Sequence, residues 1–269
     1  MNREQSFLSG IYAKWDKAVA VIGISGLGLK IIACVIMLID HAAMAVVQYY
    51  LNFHVGDLEF DAFRRLGNLY AGMRLVGRVA FPIFCFLLVE GFLHTKNFRK
   101  YALRLFLFGL ISEPVFDLAL FGQPVYMRYQ NVYFTLLFGL LCIRLLQQIQ
   151  ERKLPYLEKA PAFVLVVLSL IALGGSMAAA WYCRTDYSFK GVLAIALMYQ
   201  FRRSRILRIV LGEAPFYYEP AAFFSAIPIS LYNGKRGSIK SEPVRYFFYV
   251  FYPLHLLVLY LISVGLGCR

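Results

Sequence analysis

Leu29-Lys30-Ile31-Ile32-Ala33-Cys34-Val35-Ile36-Met37-Leu38-Ile39-Asp40-His41-Ala42-Ala43-Met44-Ala45-Val46-Val47-Gln48 is apolar except for Lys30 near its start, the pair Asp40-His41 in its middle and Gln48 at its end. A run of this length crosses a bilayer as a helix. Two ionisable side chains at membrane depth are costly, so by default they mark a functional site.

Composition agrees with that reading. The chain is 60% hydrophobic and 16% charged, with a mean hydropathy of +0.63, which is far from the balance of a soluble domain. Apolar runs recur at Leu29 to Tyr50, Leu75 to Phe92, Ala102 to Phe121, Asn131 to Leu146, Ala162 to Tyr182, Phe189 to Phe201 and Tyr246 to Gly265. None alternates with a period of two, so they predict helices rather than a membrane barrel.

The net charge of +13 does not point to nucleic acid, because the basic residues fall in alternate loops. His94, Lys96, Arg99, Lys100 and Arg104 follow the second run; Arg152, Lys153 and Lys159 follow the fourth; Arg202, Arg203, Arg205 and Arg208 follow the sixth; Lys235, Arg236 and Lys240 precede the last. The intervening loops carry Asp57, Glu59 and Asp61, diluted by Arg64, Arg65 and Arg74, then little but Arg128, then Asp186 beside Arg184, then Glu213 and Glu219. By the positive-inside rule the basic loops are cytoplasmic, with the N-terminus inside and the C-terminus outside. In a bacterium this means the cytoplasmic (inner) membrane.

Both flanks of Ile206 to Tyr232 are basic, so this stretch crosses an even number of times or not at all. It is barely long enough for two spans, and Pro215, Pro220 and Pro228 predict two short or re-entrant segments packed inside the protein. The expected fold is an all-α polytopic bundle of about nine membrane segments, with about seven fully spanning as the alternative.

Residues 1–269 read as a single domain, with 1–28 an interfacial N-terminal helix, since Phe7, Ile11, Trp15 and Val19 share a helical face. Lys14, Asp16 and Lys17 argue against a cleaved signal peptide. Cys34, Cys85, Cys142, Cys183 and Cys268 are scattered with no Cys-x-x-Cys pair, and they read as small core residues.

Depth arithmetic shows which polar residues share a layer. With Lys30 at the cytoplasmic interface, His41 lies about 16 Å deeper, near the middle of a core roughly 30 Å thick. Glu113 and Asp117 lie about 15 and 21 Å from Leu103, and His255 about 15 Å from Arg245. Arg78, Gln130-Asn131 and Asp186-Tyr187 fall nearer the outer side. Adjacent helical residues point about 100° apart, so Asp40 is badly placed to orient His41, and Asp117 or Glu113 is the expected orienter. A neutral histidine oriented by a carboxylate suits proton abstraction from an amine or hydroxyl. Structural readings stand beside these: Arg78 neutralises Asp117 or snorkels, Glu90 pairs with Lys96 or Arg99, and His255 bonds a carbonyl freed by Pro253. Glu113, Asp117 and His41 have metal-ligand side chains without a diagnostic spacing, and no metal is expected.

Several blocks then resemble a known family. They are Leu29-Lys30-Ile-Ile-Ala with Ile39-Asp40-His41, the stretch Arg78-Val-Ala-Phe-Pro-Ile-Phe-Cys-Phe-Leu-Leu-Val-Glu90-Gly-Phe-Leu-His-Thr95, and Ser112-Glu113-Pro114 with Phe116-Asp117-Leu118. Gln130-Asn131-Val, Asp186-Tyr187 with Gly191-Val, Tyr232-Asn233-Gly234-Lys-Arg-Gly237, and Phe248-Tyr249 with Tyr252-Pro253-Leu254-His255 complete the set. In order and spacing they look like the TraX family, named for the protein that acetylates the N-terminus of F-type pilin. The first helix is also similar to larger membrane acyltransferases, which carry an arginine, ten residues and a histidine; here Lys30 and His41 keep the spacing, with lysine in place of arginine.

The resemblance implies acetyl transfer from acetyl-CoA, entering from the cytoplasm, to an amine of pilin or another envelope acceptor. It implies that His41 acts as general base or transient acyl carrier, with Asp40, Glu113, Asp117 and His255 around it. Arg99, Lys100, Arg104, Lys235 and Arg236 would hold the phosphates, and Arg78, Asn131, Asp186 or Tyr187 would face the substrate or its oxyanion. The rival reading is a small proton-coupled transporter or channel using the same Asp/His/Glu layer, and a non-enzymatic assembly factor is a third. The oligomeric state is not legible.

Overall fold

A computed structural model describes residues 15, 17–237 and 242–269, with the side chains of 242–245 excepted. Phe7, Ile11 and Lys240, on which part of the sequence reading rests, lie outside the described residues. Of the predicted N-terminal face, Val19 is buried and Trp15 is half-exposed.

The described chain is helical, with two isolated β-bridges and no strand among the described residues. Helix α1 runs Gly26–Phe53 and contains a π-helical turn at Ala43–Val47. Then follow α2 (Phe60–Gly77), α3 (Ala80–His94), α4 (Phe98–Phe121), α5 (Val132–Gln150), α6 (Ala162–Tyr182), α7 (Ser188–Gln200), α8 (Arg205–Glu213), α9 (Ala226–Ser230) and α10 (Glu242–Gly265).

Among the described residues five stretches are long and apolar enough to cross a membrane: Gly26–Phe53, Phe60–His94, Val132–Gln150, Ala162–Tyr182 and Tyr246–Gly265. Two expected runs fall short for different reasons. Helix α4 has the length but carries Arg99, Lys100, Arg104, Glu113 and Asp117. Helix α7 has 13 residues, about 20 Å at 1.5 Å each.

Helix α3 is the hub. Ala80, Phe81, Pro82 and Ile83, then Cys85 to Val89, are buried almost without interruption, because α1, α5 and α7 cover it on successive sides. At the other extreme, the apolar window of α6 has no fully buried residue: one side packs on α5 and α7, and the other is left facing outward, as a lipid-facing helix can be when no water is present to drive its burial. Helix α1 packs on α2 and α3 and touches α10, while α10 lies along α4.

The stretch from Arg205 to Tyr232 forms a hairpin. Helix α8 leads through a 3₁₀ turn at Ala214–Phe216 to a tip at Glu219, and a second 3₁₀ turn and α9 return. Its arms are tied where Ser225 Oγ donates to Glu213 Oε1 at 2.5 Å, and where Arg205 donates to the carbonyls of Ser230 and Tyr232. Tyr232 then pairs with Ile24 just ahead of α1. The hairpin thus starts and ends at the Lys30 end of the bundle, while its tip reaches the α2–α3 joint.

Candidate functional site in the bundle interior

Asp40 and His41 point to different neighbours, as their helical offset requires. Asp40 faces α2, where its Oδ2 accepts from Arg74 Nη1 at 2.5 Å. The approach needs glycine at 77, because a Cβ there would sit 2.0 Å from Asp40 Oδ1. His41 faces α10 and is 9% exposed.

The partner of His41 is His255, with Nδ1 and Nε2 2.6 Å apart and rings 8° from parallel. This corrects the expectation of Asp117 or Glu113 as orienter. His255 Nδ1 lies 2.7 Å from the Phe251 carbonyl. A carbonyl only accepts, so that nitrogen carries the proton. Neutral His255 therefore presents a lone pair on Nε2, and His41 must donate from Nδ1. His41 Nε2 is left with its own lone pair and no hydrogen-bond donor among the described residues. The pair is thus a relay that fixes the tautomer of His41 and leaves a free basic nitrogen.

Helix α10 is shaped to deliver His255. Pro253 has no N–H to offer the Tyr249 carbonyl, and the Tyr133 hydroxyl donates to that carbonyl instead at 3.0 Å. Tyr252 stands edge-on to His41, with ring centroids 5.8 Å apart. Its hydroxyl is buried with no hydrogen-bond partner among the described residues.

The carboxylates of α4 have other work. Asp117 Oδ2 accepts from the Tyr126 backbone N–H at 2.6 Å, fixing the α4–α5 connection. Glu113 accepts from the backbone N–H and the side-chain amide of Asn131. Asn131 also donates to the Gly109 carbonyl at 2.8 Å and caps α5 by accepting from Tyr133 N–H. Every polar atom of the Asn131 side chain is therefore engaged, which removes it as an oxyanion donor.

This lock also explains α7. Because Asn131 bonds to Gly109, α5 begins opposite the middle of α4 rather than at its end. Gln130 and Thr185 pair through their backbones, which draws Asp186 and Tyr187 to the same level. The sequence placed these residues nearer the outer side; the structure brings them inward, and α7 is short as a result. Arg184, Tyr187 and Ser188 hold φ of 53°, 58° and 46°, left-handed conformations that cost of order 1–3 kcal/mol each and cluster at functional sites.

Arg78, expected to neutralise Asp117, instead pairs with Glu219 at the hairpin tip at 3.1 Å and faces Tyr187 and Asp40. Tyr187 stacks on Phe81, with centroids 3.7 Å apart. Asp186 accepts from the Tyr129 hydroxyl at 2.7 Å, and burial pushes its carboxyl up from 3.8 to about 6. Asp40 Oδ1, Glu113 Oε1 and Glu219 Oε2 are buried with no hydrogen-bond partner among the described residues. Arg74, Glu219 and Tyr252 were missed by sequence reasoning. The first two read as loop charges, and only the Tyr-Pro-Leu-His block hinted at the third.

The expected phosphate-binding residues divide. Arg104 lies over the Tyr249 ring at 5.8 Å, with Lys30 over the adjacent Phe248 at 5.4 Å. Arg236 accepts through its carbonyl from Leu27 N–H, and Lys235 likewise from Gly26 N–H, holding the loop before α10 against the start of α1. Arg99 and Lys100 are exposed on the first turn of α4. Glu90, expected to pair with Lys96 or Arg99, pairs with Arg208 of the hairpin at 2.6 Å, because α8 packs on α7 and the Arg208 side chain reaches from it across the Phe86 ring of α3.

A bundle of apolar helices enclosing a histidine pair and an ion-paired polar layer defines an integral membrane protein with a buried polar centre. The chain belongs to the TraX family: residues 25–263 match the family model described as TraX protein. It is similar to a protein of Dichelobacter nodosus described as probable fimbrial assembly protein FimC, serogroup H1, at 27% identity over 264 residues, covering 88% of this chain and 95% of that one. No solved structure matches.

Proposed function

We propose that this protein is a membrane-embedded acetyltransferase that moves an acetyl group from acetyl-CoA to an amine of a pilus or fimbrial subunit, or of another envelope component. The observation that carries the reading is the His41–His255 pair, which leaves one unencumbered basic nitrogen inside the bundle. Family membership and the fimbrial relative supply the context of the acceptor. The charge pattern supports a cytoplasmic Lys30 end in a bacterial inner membrane, the side on which acetyl-CoA is found.

In this reading the acceptor amine attacks the thioester carbonyl, forming the N–C bond. His41 Nε2 takes the amine proton, and His255 Nε2 accepts from His41 Nδ1–H and so steadies the imidazolium. Collapse of the tetrahedral adduct breaks the C–S bond, and the proton passes from His41 to the departing thiolate. The Tyr252 hydroxyl, beside His41 and without an acceptor, is the donor best placed to meet the developing oxyanion. Arg74, Arg78 and Glu219 hold Asp40 and the hairpin tip in register around the centre.

The test is CoA release by the purified protein with acetyl-CoA and pilin-derived amines. Release that needs the amine and is lost in His41→Ala supports acetyl transfer. Absence of release with every amine tried, from protein that remains folded, removes it.

A further inference from the structure

Away from the histidine pair, at the Lys30 end, lies a cavity of about 370 Å³ lined by Glu90, Arg202, Arg203, Arg205, Arg208 and Tyr232, with Phe86, Ile209 and Ile229 as its apolar wall. Its volume falls within the range of ligand pockets, roughly 300–1,000 Å³. Four arginines face one carboxylate. Positive-inside bias explains basic residues on a cytoplasmic surface, but it does not explain one held in the interior.

Arg208 is 7% exposed. Its Nη1 donates to Glu90 and its guanidinium lies 4.1 Å from the Phe86 ring centroid. Its Nε and Nη2 are buried with no hydrogen-bond partner among the described residues. A buried guanidinium edge with two open donors is a costly arrangement unless an acceptor arrives. Two adjacent donors in a planar fork match two oxygens of a phosphate. Arg202, stacked on Tyr199, and exposed Arg203 add charge at the mouth. Arg205 is anchored by the Ser230 and Tyr232 carbonyls.

We propose that this pocket binds the phosphate groups of an anionic ligand, and that the ligand is the nucleotide end of the acyl donor. The second half rests on the acetyl-transfer reading; the first does not. From Glu90 in the pocket to Phe81, which stacks under Tyr187 beside the polar layer, α3 climbs nine residues, about 14 Å. A donor with its phosphates in the pocket therefore needs a flexible arm of at least that axial length to bring its carbonyl to the level of the polar layer. CoA has that form: phosphates at one end, a long pantetheine arm and a terminal thiol. Arg202, Arg203 and Arg208 thus join the residues that contact the donor, ahead of exposed Arg99 and Lys100.

The experiment is equilibrium binding to the full chain in neutral phosphatidylcholine nanodiscs. CoA and inorganic pyrophosphate serve as soluble probes, and phosphatidylglycerol is added to the disc in a separate arm. Two variants perturb the pocket: Arg202→Gln with Arg203→Gln, and Arg208→Lys, which keeps a cation for Glu90 but removes the fork. Lys153→Gln with Lys159→Gln, exposed in another basic loop, is the control. CoA binding should weaken at least about tenfold, or about 1.4 kcal/mol, in both pocket variants, and should change little in the control. If wild type binds pyrophosphate or phosphatidylglycerol through these arginines but not CoA, the phosphate pocket stands and the donor assignment falls. If CoA binds equally well to wild type and both pocket variants, or if no probe binds wild type, the pocket proposal is overturned.

Discussion

Replacing His255 by phenylalanine removes the acceptor that holds His41 Nδ1. The ring volume is retained, and the new side chain keeps the stacking place against Phe251 that His255 occupies with centroids 4.9 Å apart, so no cavity opens. What is lost is the acceptor 2.6 Å from His41 Nδ1. A buried donor left without a partner costs about 1–3 kcal/mol. That cost falls on the tautomer that leaves Nε2 basic, and it grows once His41 is protonated. Spent on the transition state, it lowers kcat by about 5- to 150-fold, with little change in KM for acetyl-CoA, since His255 lies deeper than any phosphate contact. The assay is CoA release followed by thiol detection, with thermal stability measured on the same samples. His255→Gln, which keeps an accepting oxygen, should recover part of the rate; a merely structural role for His255 would give no such recovery. A His255→Phe variant with kcat within about twofold of wild type, well short of the smallest cost expected, would refute the relay.

Other perturbations separate structure from chemistry. Asp40→Leu leaves Arg74 unpaired and should cost about 3 kcal/mol of stability, while Asp40→Leu with Arg74→Leu recovers most of it; melting of detergent-solubilised protein reads both. Gly77→Ala should displace Asp40 and cost about 1–3 kcal/mol, visible as a lower melting temperature, whereas the same change at Gly72, with open space around it, should have little effect. Asp186 binds its proton more tightly folded than unfolded, with its carboxyl at about 6 against 3.8. Its contribution is therefore fully present below the unfolded value and lost as pH rises through about 6. Asp186→Asn should flatten the fall in melting temperature over that interval, and an unchanged slope would discount the carboxyl.

Much of the architecture was legible because a bilayer leaves few choices: long apolar runs must be helices. Counting 1.5 Å per residue also put His41 and His255 in one layer. Depth along a helix is a sequence property, whereas direction around the bundle depends on which helices pack together. That is why Asp117 and Glu113, at the right depth, were paired with His41 although they serve Tyr126 and Asn131. The levels of Asn131, Asp186 and Tyr187 were misjudged because α7 is cut short by a backbone pairing between two loops, which no local pattern announces. The three prolines and the basic flanks did foreshadow the hairpin, but not that its tip would carry Glu219 to Arg78. Arg208 looked like one more topology-setting charge, since nothing in sequence distinguishes a buried arginine from an exposed one in the same cluster.

The most direct measurement is the intact mass of a pilin-derived peptide after incubation with the purified protein and isotopically labelled acetyl-CoA, run beside an N-terminally blocked peptide. The account predicts one labelled acetyl group on the free N-terminus with wild type, none on the blocked peptide and none with folded His41→Ala. Equal labelling by wild type and His41→Ala would contradict it.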